Sequence, residues 1–380
     1  MVKMATIDVK DQDLLGTLQG FFKSILKREE ISAILAPLQL PMKNMVMPTL
    51  VADPEQLQRV DPLSPAFPLN SAKVVSRLTR KASGSKVAAV MRPCEIRAFI
   101  ELVKLNQGRT EELIVIGVDC LGAYRNTDYF RWVGEDLNAA IRTFYEAVLN
   151  GSGAMLDGIE PAPACRTCEQ PFPDGADIAI GLYGMDTGSQ ILVQAQTEKG
   201  EPFLAGLQPA GDAPPPARQK AIDKLVAART TVRDEVFAAT KEATDNLEKL
   251  SGYRANCVNC YNCRVACPVC YCRECVFVTD VFDHDPVQYL RWADRKGAVK
   301  MPTDTVFYHL TRLAHMSTAC VGCGQCSNAC PNDIPVMELF KFVAQDVQAA
   351  FDYAAGRDLD ERPPLSEFRE DEFQEIVGLN

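Results

Sequence analysis

Two runs of cysteines with the same spacing constrain this chain more than any other feature. Each run has the pattern C-x2-C-x2-C-x3-C-P, first at residues 257–268 and again at 320–331. This spacing holds paired 4Fe–4S clusters, because three cysteines of a run ligate one cluster and the fourth ligates the cluster of the other run. Two adjacent clusters carry electrons one at a time, so the pattern predicts an electron-transfer protein. We expect one cluster on Cys257, Cys260, Cys263 and Cys330, and the other on Cys320, Cys323, Cys326 and Cys267.

Zinc is the alternative occupant of these runs, since it favours paired C-x2-C knuckles. Two triple runs that each end in Cys-Pro favour iron–sulfur clusters instead. Apolar neighbours are expected to keep water away from the clusters, namely Val258, Val265, Val321 and Ile334. His315, five residues before Cys320, is either a hydrogen-bond donor to a cluster sulfur or, more commonly for such a histidine, a packing residue.

Three cysteines remain outside the paired runs, in the stretch CPVCYCREC. They are either extra ligands, which we favour slightly, or shielded thiols. A further cluster built on them would need a ligand that is not a cysteine of this chain. These residues are Cys270, Cys272 and Cys275.

Composition limits the class of protein. The 380 residues include 15 cysteines, and the N-terminal residues lack the apolar segment of an export signal, which predicts a reducing, cytoplasmic location and metal sites rather than disulfides. The net charge of −10 argues against a nucleic-acid partner. No apolar run approaches the length of a membrane span, so we expect none.

The order of apolar runs predicts an α/β fold for the N-terminal half. Strand, helix and strand alternate between residues 87 and 118, which is typical of a right-handed βαβ unit with parallel strands. We expect a mixed or parallel sheet with flanking helices, a long connecting helix at about 218–250 capped by Gly252, and an α-rich ferredoxin-like domain with two clusters. The predicted domains are 1–208 (α/β), 209–252 (Pro-rich linker and helix), 253–340 (clusters) and 341–380 (polar tail).

Four more cysteines lie in the α/β half. Cys94 follows the strand predicted at 87–91, and Cys120 follows the strand predicted at 113–118. If these strands are parallel neighbours, both thiols lie at the carboxyl-end edge of the sheet, where such sheets bind ligands. With Cys165 and Cys168 they make the four thiolates that a third cluster needs. Spacing alone leaves an equal alternative, two core cysteines and a redox or zinc pair.

These motifs resemble the beta subunits of coenzyme F420-reducing hydrogenase and F420-linked formate dehydrogenase. The resemblance covers about residues 12–250, and the paired clusters follow it as a C-terminal extension. It departs from the family pattern at Leu15-Gly16-Thr17 and in the loop at 61–70. The motifs are Pro93-Cys94, Gly117-Val-Asp-Cys120, Cys165-Arg-Thr-Cys168, Ala176-Asp177-Ile178 and the segment Gly181–Gly200.

The resemblance implies cofactors as well as a fold. Cys94, Cys120, Cys165 and Cys168 would ligate one 4Fe–4S cluster beside FAD, which gives three clusters, or four if the three remaining cysteines are ligands. No Rossmann or P-loop motif is present, so FAD rests on the resemblance alone. Asn70 has the alternative role of capping a helix, and Lys73 that of a solvated charge. The FAD contacts implied are Gly16, Asn70, Lys73, Pro93, Glu95, Gly181 and Gly184.

Three functions compete. The first is an oxidoreductase subunit that relays electrons between FAD and a catalytic formate dehydrogenase or hydrogenase subunit, or heterodisulfide-reductase-like subunits. Coenzyme F420 or NAD(P) would be its hydride partner. The second is a flavin-free electron-transfer adaptor between two partner subunits. The third, much weaker, is a zinc-bearing binding module.

Overall fold

The computed structural model describes residues 3–41, 44–211 and 213–367. Its described residues form one eight-stranded mixed sheet with the order β3-β2-β4-β5-β6-β7-β1-β8. Strands β2, β4, β5 and β6 are parallel to one another, whereas the pairs at both sides are antiparallel. The strands are β1 (Lys3–Asp8), β2 (Ile31–Gln39), β3 (Val46–Val51), β4 (Lys86–Met91), β5 (Leu113–Val118), β6 (Ile178–Gly181), β7 (Gln190–Ala195) and β8 (Gln208–Pro209).

Helices cover both faces of the sheet and form most of the C-terminal half. Short 3-10 turns occur at Lys10–Gln12, Pro54–Arg59, Glu201–Leu204, Val276–Val278 and Asp280–Phe282. The α-helices are α1 (Leu14–Leu26), α2 (Ala72–Thr79), α3 (Pro93–Lys104), α4 (Asn126–Trp132), α5 (Leu137–Leu149), α6 (Pro163–Arg166), α7 (Pro216–Thr244), α8 (Leu247–Tyr253), α9 (Asn262–Ala266), α10 (Pro286–Lys296), α11 (Thr305–Met316), α12 (Gln325–Asn328) and α13 (Val336–Ala350).

The predicted α/β fold is confirmed, and its parallel centre follows from the sequence. All six residues of β5 are buried, as expected for a strand covered on both faces. Strand β4 pairs with β5 in parallel register, from Val87 opposite Leu113 to Met91 opposite Gly117. The intervening α3 begins at Pro93, and the Glu95 side chain accepts a hydrogen bond from the Arg92 backbone to cap it. This unit puts Cys94 and the residues after Val118 at one sheet edge.

The long connecting helix differs from the prediction. It begins at Pro216, ends at Thr244, and restarts as α8, where the Asn246 side chain accepts from the Lys249 backbone at 2.9 Å. An asparagine that caps a new first turn competes with continuation of the helix, which explains the break. Gly252 lies inside α8 and does not cap it.

Helix α13 runs from Val336 to Ala350 and so crosses the C-terminal boundary predicted at residue 340. Beyond α13, Tyr353 and Ala355 are buried in a core that also contains Ile96 and Phe99 of α3. The cluster lobe therefore packs directly on the α/β lobe. Residues 368–380 of the predicted polar tail lie outside the described residues. None of the helices described is both long and apolar enough to span a bilayer.

Candidate iron–sulfur and cofactor site

The four N-terminal cysteines converge at the carboxyl-end edge of the sheet. Cys94 lies in the first turn of α3, and Cys120 follows the end of β5 by two residues. Cys165 lies in α6, and the loop after Cys168 returns to the sheet, where the Cys120 backbone donates to the Pro171 carbonyl at 2.8 Å. The elements thus bring together thiols that are 74 residues apart in sequence, from position 94 to position 168.

The pKa shifts of these thiols indicate that they are neighbours. Burial, together with the charges of Cys120 and Cys168, raises the pKa of Cys165 to about 12. Burial also raises the pKa of Cys94 well above its usual range, with further contributions from Cys120 and Cys168. Isolated buried thiols would stay protonated. Four of them in this position suit an iron–sulfur cluster, because bonds to iron stabilise the thiolate form.

A second group forms around Cys267. Burial raises the pKa of Cys320 to about 11 and raises those of Cys323 and Cys326 even more, and the charge of Cys267 contributes to each shift. Cys267 belongs to the first run, and the other three belong to the second. The structure therefore brings together the four cysteines that the sequence assigns to one cluster.

The third group is looser. Cys257 and Cys263 are buried and interact electrostatically, whereas Cys260 is exposed. Cys330 is connected to this group through its neighbours in the chain, because the Asn332 side chain donates to the Asn256 carbonyl at 2.6 Å and brings the chain after Cys330 next to Cys257. The expected apolar shield is only half present, because Val321 and Ile334 are buried while Val258 and Val265 are exposed.

The three leftover cysteines do not form a group of their own. Cys270 lies near Cys267 and burial raises its pKa to about 11, Cys272 is exposed, and Cys275 packs near Phe277. Over the described part of the chain, no three side chains of His, Cys, Asp or Glu converge closely enough to hold a metal ion.

The three groups lie in a row. Cys94 of the first group is close enough to Cys323 of the second for their charges to interact. Cys326 of the second group packs against the small core formed by Cys263 of the third group, Phe277 and Tyr308. The loop of the second group also approaches α6 closely, since a Cβ at Gly324, which has φ +77°, would lie 2.4 Å from the Ala164 Cβ. The second group is therefore close to both the first group and the third.

The third group is in contact with polar side chains that the sequence did not predict. The Arg312 guanidinium donates to the Cys263 sulfur at 3.2 Å, and the Tyr308 hydroxyl lies 3.4 Å from the same sulfur. His309 Nε2 lies 3.3 Å from the Cys257 sulfur. Burial and the nearby Arg254 and Arg312 lower the pKa of His309 to about 3.

His315, the histidine singled out from the sequence, is exposed instead. His309, Arg312 and Met316 share the buried face of α11, since all three are buried and are three or four residues apart. That helical period was a usable signal for His309, because it places His309 and Arg312 on the same face.

A cleft opens beside the first group. It has a cavity volume of about 40 Å³ and lies at the carboxyl ends of β2, β4 and β5, with Cys120 in its wall. Arg92 contributes to the wall and lies 4.9 Å from the Phe67 ring centroid, while its guanidinium donates to the carbonyls of Ser64, Ala66 and Gly122. This is the edge at which open α/β sheets bind ligands.

The residues implied as FAD contacts are dispersed. Of these residues, Glu95 lines the cleft, but its carboxylate already accepts from the backbones of Ser71 and Arg92. Pro93 is the first residue of α3. Gly16 lies at the start of α1, where a Cβ would meet the Asp13 carboxylate, and Lys73 donates to the Val265 carbonyl near Cys267.

Gly181 and Gly184 contact Arg218 of α7. A Cβ at Gly181 would lie 2.7 Å from the Arg218 guanidinium carbon, and one at Gly184 (φ +72°) would lie 2.4 Å from the Arg218 Cα. These glycines give space for the buried ion pair between Arg218 and Asp119.

The two ends of the Asn70 side chain interact with different groups of the protein. Its Oδ1 accepts from the Ala72 backbone at 3.0 Å at the start of α2, which is a capping role. Its Nδ2 is buried, and a hydrogen bond from the amide to the Cys323 sulfur lowers the pKa of that thiol.

Comparison with known proteins agrees with this architecture. Residues 84–213 match the family that comprises the C terminus of the coenzyme F420 hydrogenase/dehydrogenase beta subunit, and residues 315–336 match the 4Fe-4S binding domain. The chain thus combines an α/β region of that beta-subunit type with an iron–sulfur region.

Two curated relatives match along nearly the whole chain. The F420-dependent formate dehydrogenase subunit beta of Methanocaldococcus jannaschii is 25% identical over 96% of this chain and 99% of its own length. The F420-dependent formate dehydrogenase 1 subunit beta of Methanococcus maripaludis is 26% identical over 92% of each chain. A chain of the F420-reducing NiFe hydrogenase complex of Methanosarcina barkeri aligns with a TM-score of 0.45 and 13% identity, over 65% of this chain and 94% of that chain.

The resemblance predicted from the cysteine motifs is therefore confirmed. The chain is a relative of the beta subunits of coenzyme F420 hydrogenases and dehydrogenases, and so an oxidoreductase subunit.

Proposed function

We propose that this chain is the electron-transfer beta subunit of a formate dehydrogenase or hydrogenase complex and carries three 4Fe–4S clusters and FAD. The observation that supports this most is the row of three cysteine groups that begins beside a cleft at the sheet edge. Electrons would pass along this row between the cleft and a catalytic subunit.

The cysteines that would hold the clusters fit this role by chemistry. Thiolates are the ligands that iron–sulfur clusters require, and twelve cysteines would supply three sets of four. Buried cations lie near each group, and they favour the thiolate form. Arg229 interacts with Cys120, Cys165 and Cys168, while Arg312 interacts with Cys263, Cys267 and Cys326.

FAD would occupy the cleft. The cleft walls are mostly apolar, with the Arg92 cation and backbone groups at one side, as in sites for cofactors. Its cavity of about 40 Å³ is smaller than such sites, so FAD would have to displace wall side chains. When bound, FAD exchanges a hydride for two single electrons, which the clusters can carry. Cys120 is part of the cleft wall, so the distance for electron transfer between FAD and the cluster of the first group would be short.

The partners are proposed from the names of the relatives. Coenzyme F420 is the first candidate for the hydride carrier, because both curated relatives are named as F420-dependent formate dehydrogenase subunits. NAD(P) is the second. A catalytic formate dehydrogenase or hydrogenase subunit, or a heterodisulfide-reductase-type module, would exchange electrons at the far end of the row, where Cys260 is exposed.

A flavin-free adaptor is the second candidate function, and one observation favours it. Most of the residues implied as FAD contacts are engaged within the chain: Glu95 caps α3, Gly181 and Gly184 accommodate Arg218, and Lys73 contacts the cluster lobe. In that case the clusters would connect two protein partners directly.

Anaerobic purification of the full chain, with iron, sulfide and flavin analysis, tests the proposal. Three clusters correspond to about 12 iron atoms per chain. Cys120→Ser is expected to lower this to about 8, because it removes a ligand of one cluster. Cys272→Ser alters an exposed thiol outside the three groups and should keep the full iron content.

Variants in the cleft wall test FAD binding separately from cluster binding. Ala66→Trp places a large ring in the cleft wall and is expected to abolish FAD binding with iron unchanged, whereas Ala82→Trp, on an exposed loop, should affect neither. Reduced F420 should bleach the flavin of the wild-type protein. Full iron without FAD in the wild type would support the adaptor, and zinc in place of iron would refute both functions.

A further inference from the structure

Arg254 is a buried cation without a partner among the described residues. It follows the end of α8 and comes three residues before Cys257, and its side chain is 1% exposed. All three guanidinium nitrogens are buried, and none has a hydrogen-bond partner in the part of the chain that the structure describes. By contrast, Arg218, buried to a similar degree, forms an ion pair with Asp119.

The surroundings of Arg254 are mainly sulfur atoms and aromatic rings. Its guanidinium lies 5.1 Å from the centroid of the Tyr253 ring. Burial lowers the pKa of Arg254, and the thiols of Cys263, Cys326 and Cys257 raise it, so all three are near. Glu338 is close enough to interact electrostatically, but no ion pair in the described chain joins it to Arg254, and its carboxylate accepts from Ser327.

Such a group is unfavourable unless an anion is bound next to it. A guanidinium carries five N–H donors and stays protonated even when buried, so its charge must be compensated locally. Arg254 lies near Cys263 of the third group and Cys326 of the second, so it is close to ligands of both of the clusters proposed there. Arg312 also contacts Cys263, yet it already donates to the Cys263 sulfur and carbonyl.

We propose that Arg254 is a redox-tuning residue of the cluster lobe, whose guanidinium donates hydrogen bonds to sulfur atoms of the clusters held by the second and third cysteine groups. This inference rests on the proposed function, since it requires clusters at those cysteines. Reduction adds an electron to an already negative cluster, so a buried cation and its donors favour the reduced state and raise the midpoint potential.

Redox titration of the holoprotein, followed by electron paramagnetic resonance, tests the inference. In Arg254→Gln we expect the equilibrium constant for reduction of at least one cluster to fall tenfold or more, about 59 mV for one electron. Arg254→Lys keeps the charge but loses the planar fork of donors, and its shift should be smaller. Arg291→Gln, which removes an exposed arginine of α10, should leave all potentials unchanged.

Each outcome decides the matter. Full iron content with unchanged potentials in Arg254→Gln overturns the inference. Loss of iron in Arg254→Gln that Arg254→Lys restores supports it, because the two variants differ in charge. Loss of iron in both, with the iron of Arg291→Gln intact, overturns it in favour of a packing role. Wild-type protein without iron would instead refute the proposed function.

Discussion

At the scale of single residues, burial governs the chemistry of this protein. Many thiol, guanidinium and carboxyl groups are buried away from water. The charge state of each is therefore set by the neighbouring groups that it contacts. Asp61 is the clearest carboxyl group. It is buried, its Oδ1 accepts from the backbones of Leu63 and Ser64, and its Oδ2 accepts from Gln39. These bonds shape the loop beside the cleft.

Asp61 makes stability depend on pH. Burial raises its pKa from 3.8 to about 6, against the opposing hydrogen bonds of Gln39, Leu63 and Ser64. Because its pKa is higher in the folded state, the Asp61 carboxyl stabilises the fold fully at pH values below its unfolded-state pKa of 3.8. This contribution is lost as the pH rises from 3.8 through about 6. Relative to Asp61→Asn, wild-type protein should lose roughly 1.4 kcal/mol between pH 5 and pH 7.5.

Urea unfolding under anaerobic conditions at several pH values measures this difference. The same difference at every pH would contradict the predicted role of Asp61.

At the scale of secondary-structure elements, buried ion pairs decide where helices attach. The bond between Arg218 and Asp119 joins the first turn of α7 to the end of β5. Asp119 also accepts from the backbones of Leu182 and Tyr183, just after β6. One carboxylate thus connects two strands and the long helix, although α7 is otherwise largely exposed.

Removal of Arg218 should therefore destabilise the fold. Arg218→Gln leaves the Asp119 carboxylate buried without its cation, and breaking a buried pair in this way costs roughly 3 kcal/mol or more. The free energy of unfolding, measured with urea, should fall by that amount. Lys220→Gln changes an exposed cation two residues later on α7 and should have an effect below about 0.5 kcal/mol. Equal effects of the two variants would refute this account.

At the scale of the whole molecule, the two lobes share one core. Glu101 of α3 is fully buried, and its Oε1 accepts from the Tyr353 hydroxyl, the Gly356 backbone and Lys104. The segment after α13 is thereby fixed to the α/β lobe. Cys94 of the first group also lies on α3, so a rigid contact here would help to keep the first and second groups at a constant separation.

Glu101→Gln should loosen the lobes. The change removes the nearer of the two carboxylates beside Lys104, which is 1% exposed, and leaves Glu361 at 3.8 Å. We therefore expect a loss of about 2 kcal/mol, less than for a buried cation with no remaining anion. Hydrogen exchange should increase at residues 351–357, while protection of β4 and β5 stays unchanged. Glu111→Gln, at an exposed carboxylate, should alter neither. Uniform exchange across both lobes would show global destabilisation instead and contradict the prediction.

The sequence alone determined the α/β class and the bounds of β5, and it predicts how the cysteines divide between the two paired groups. Its information there is local: periodic apolar residues specify a helix or a strand, and fixed cysteine spacing specifies cluster loops. The break after Thr244 and the helix through residue 340 were missed, because a side-chain cap and burial against another lobe override the local pattern.

Only the tertiary structure decided which side chains surround the sulfur atoms. Arg254, His309 and Arg312 approach the thiols, while His315 faces solvent and the glycines at 181 and 184 make space for Arg218. These arrangements depend on how α8, α11 and the sheet pack, and packing brings together residues that no local spacing connects.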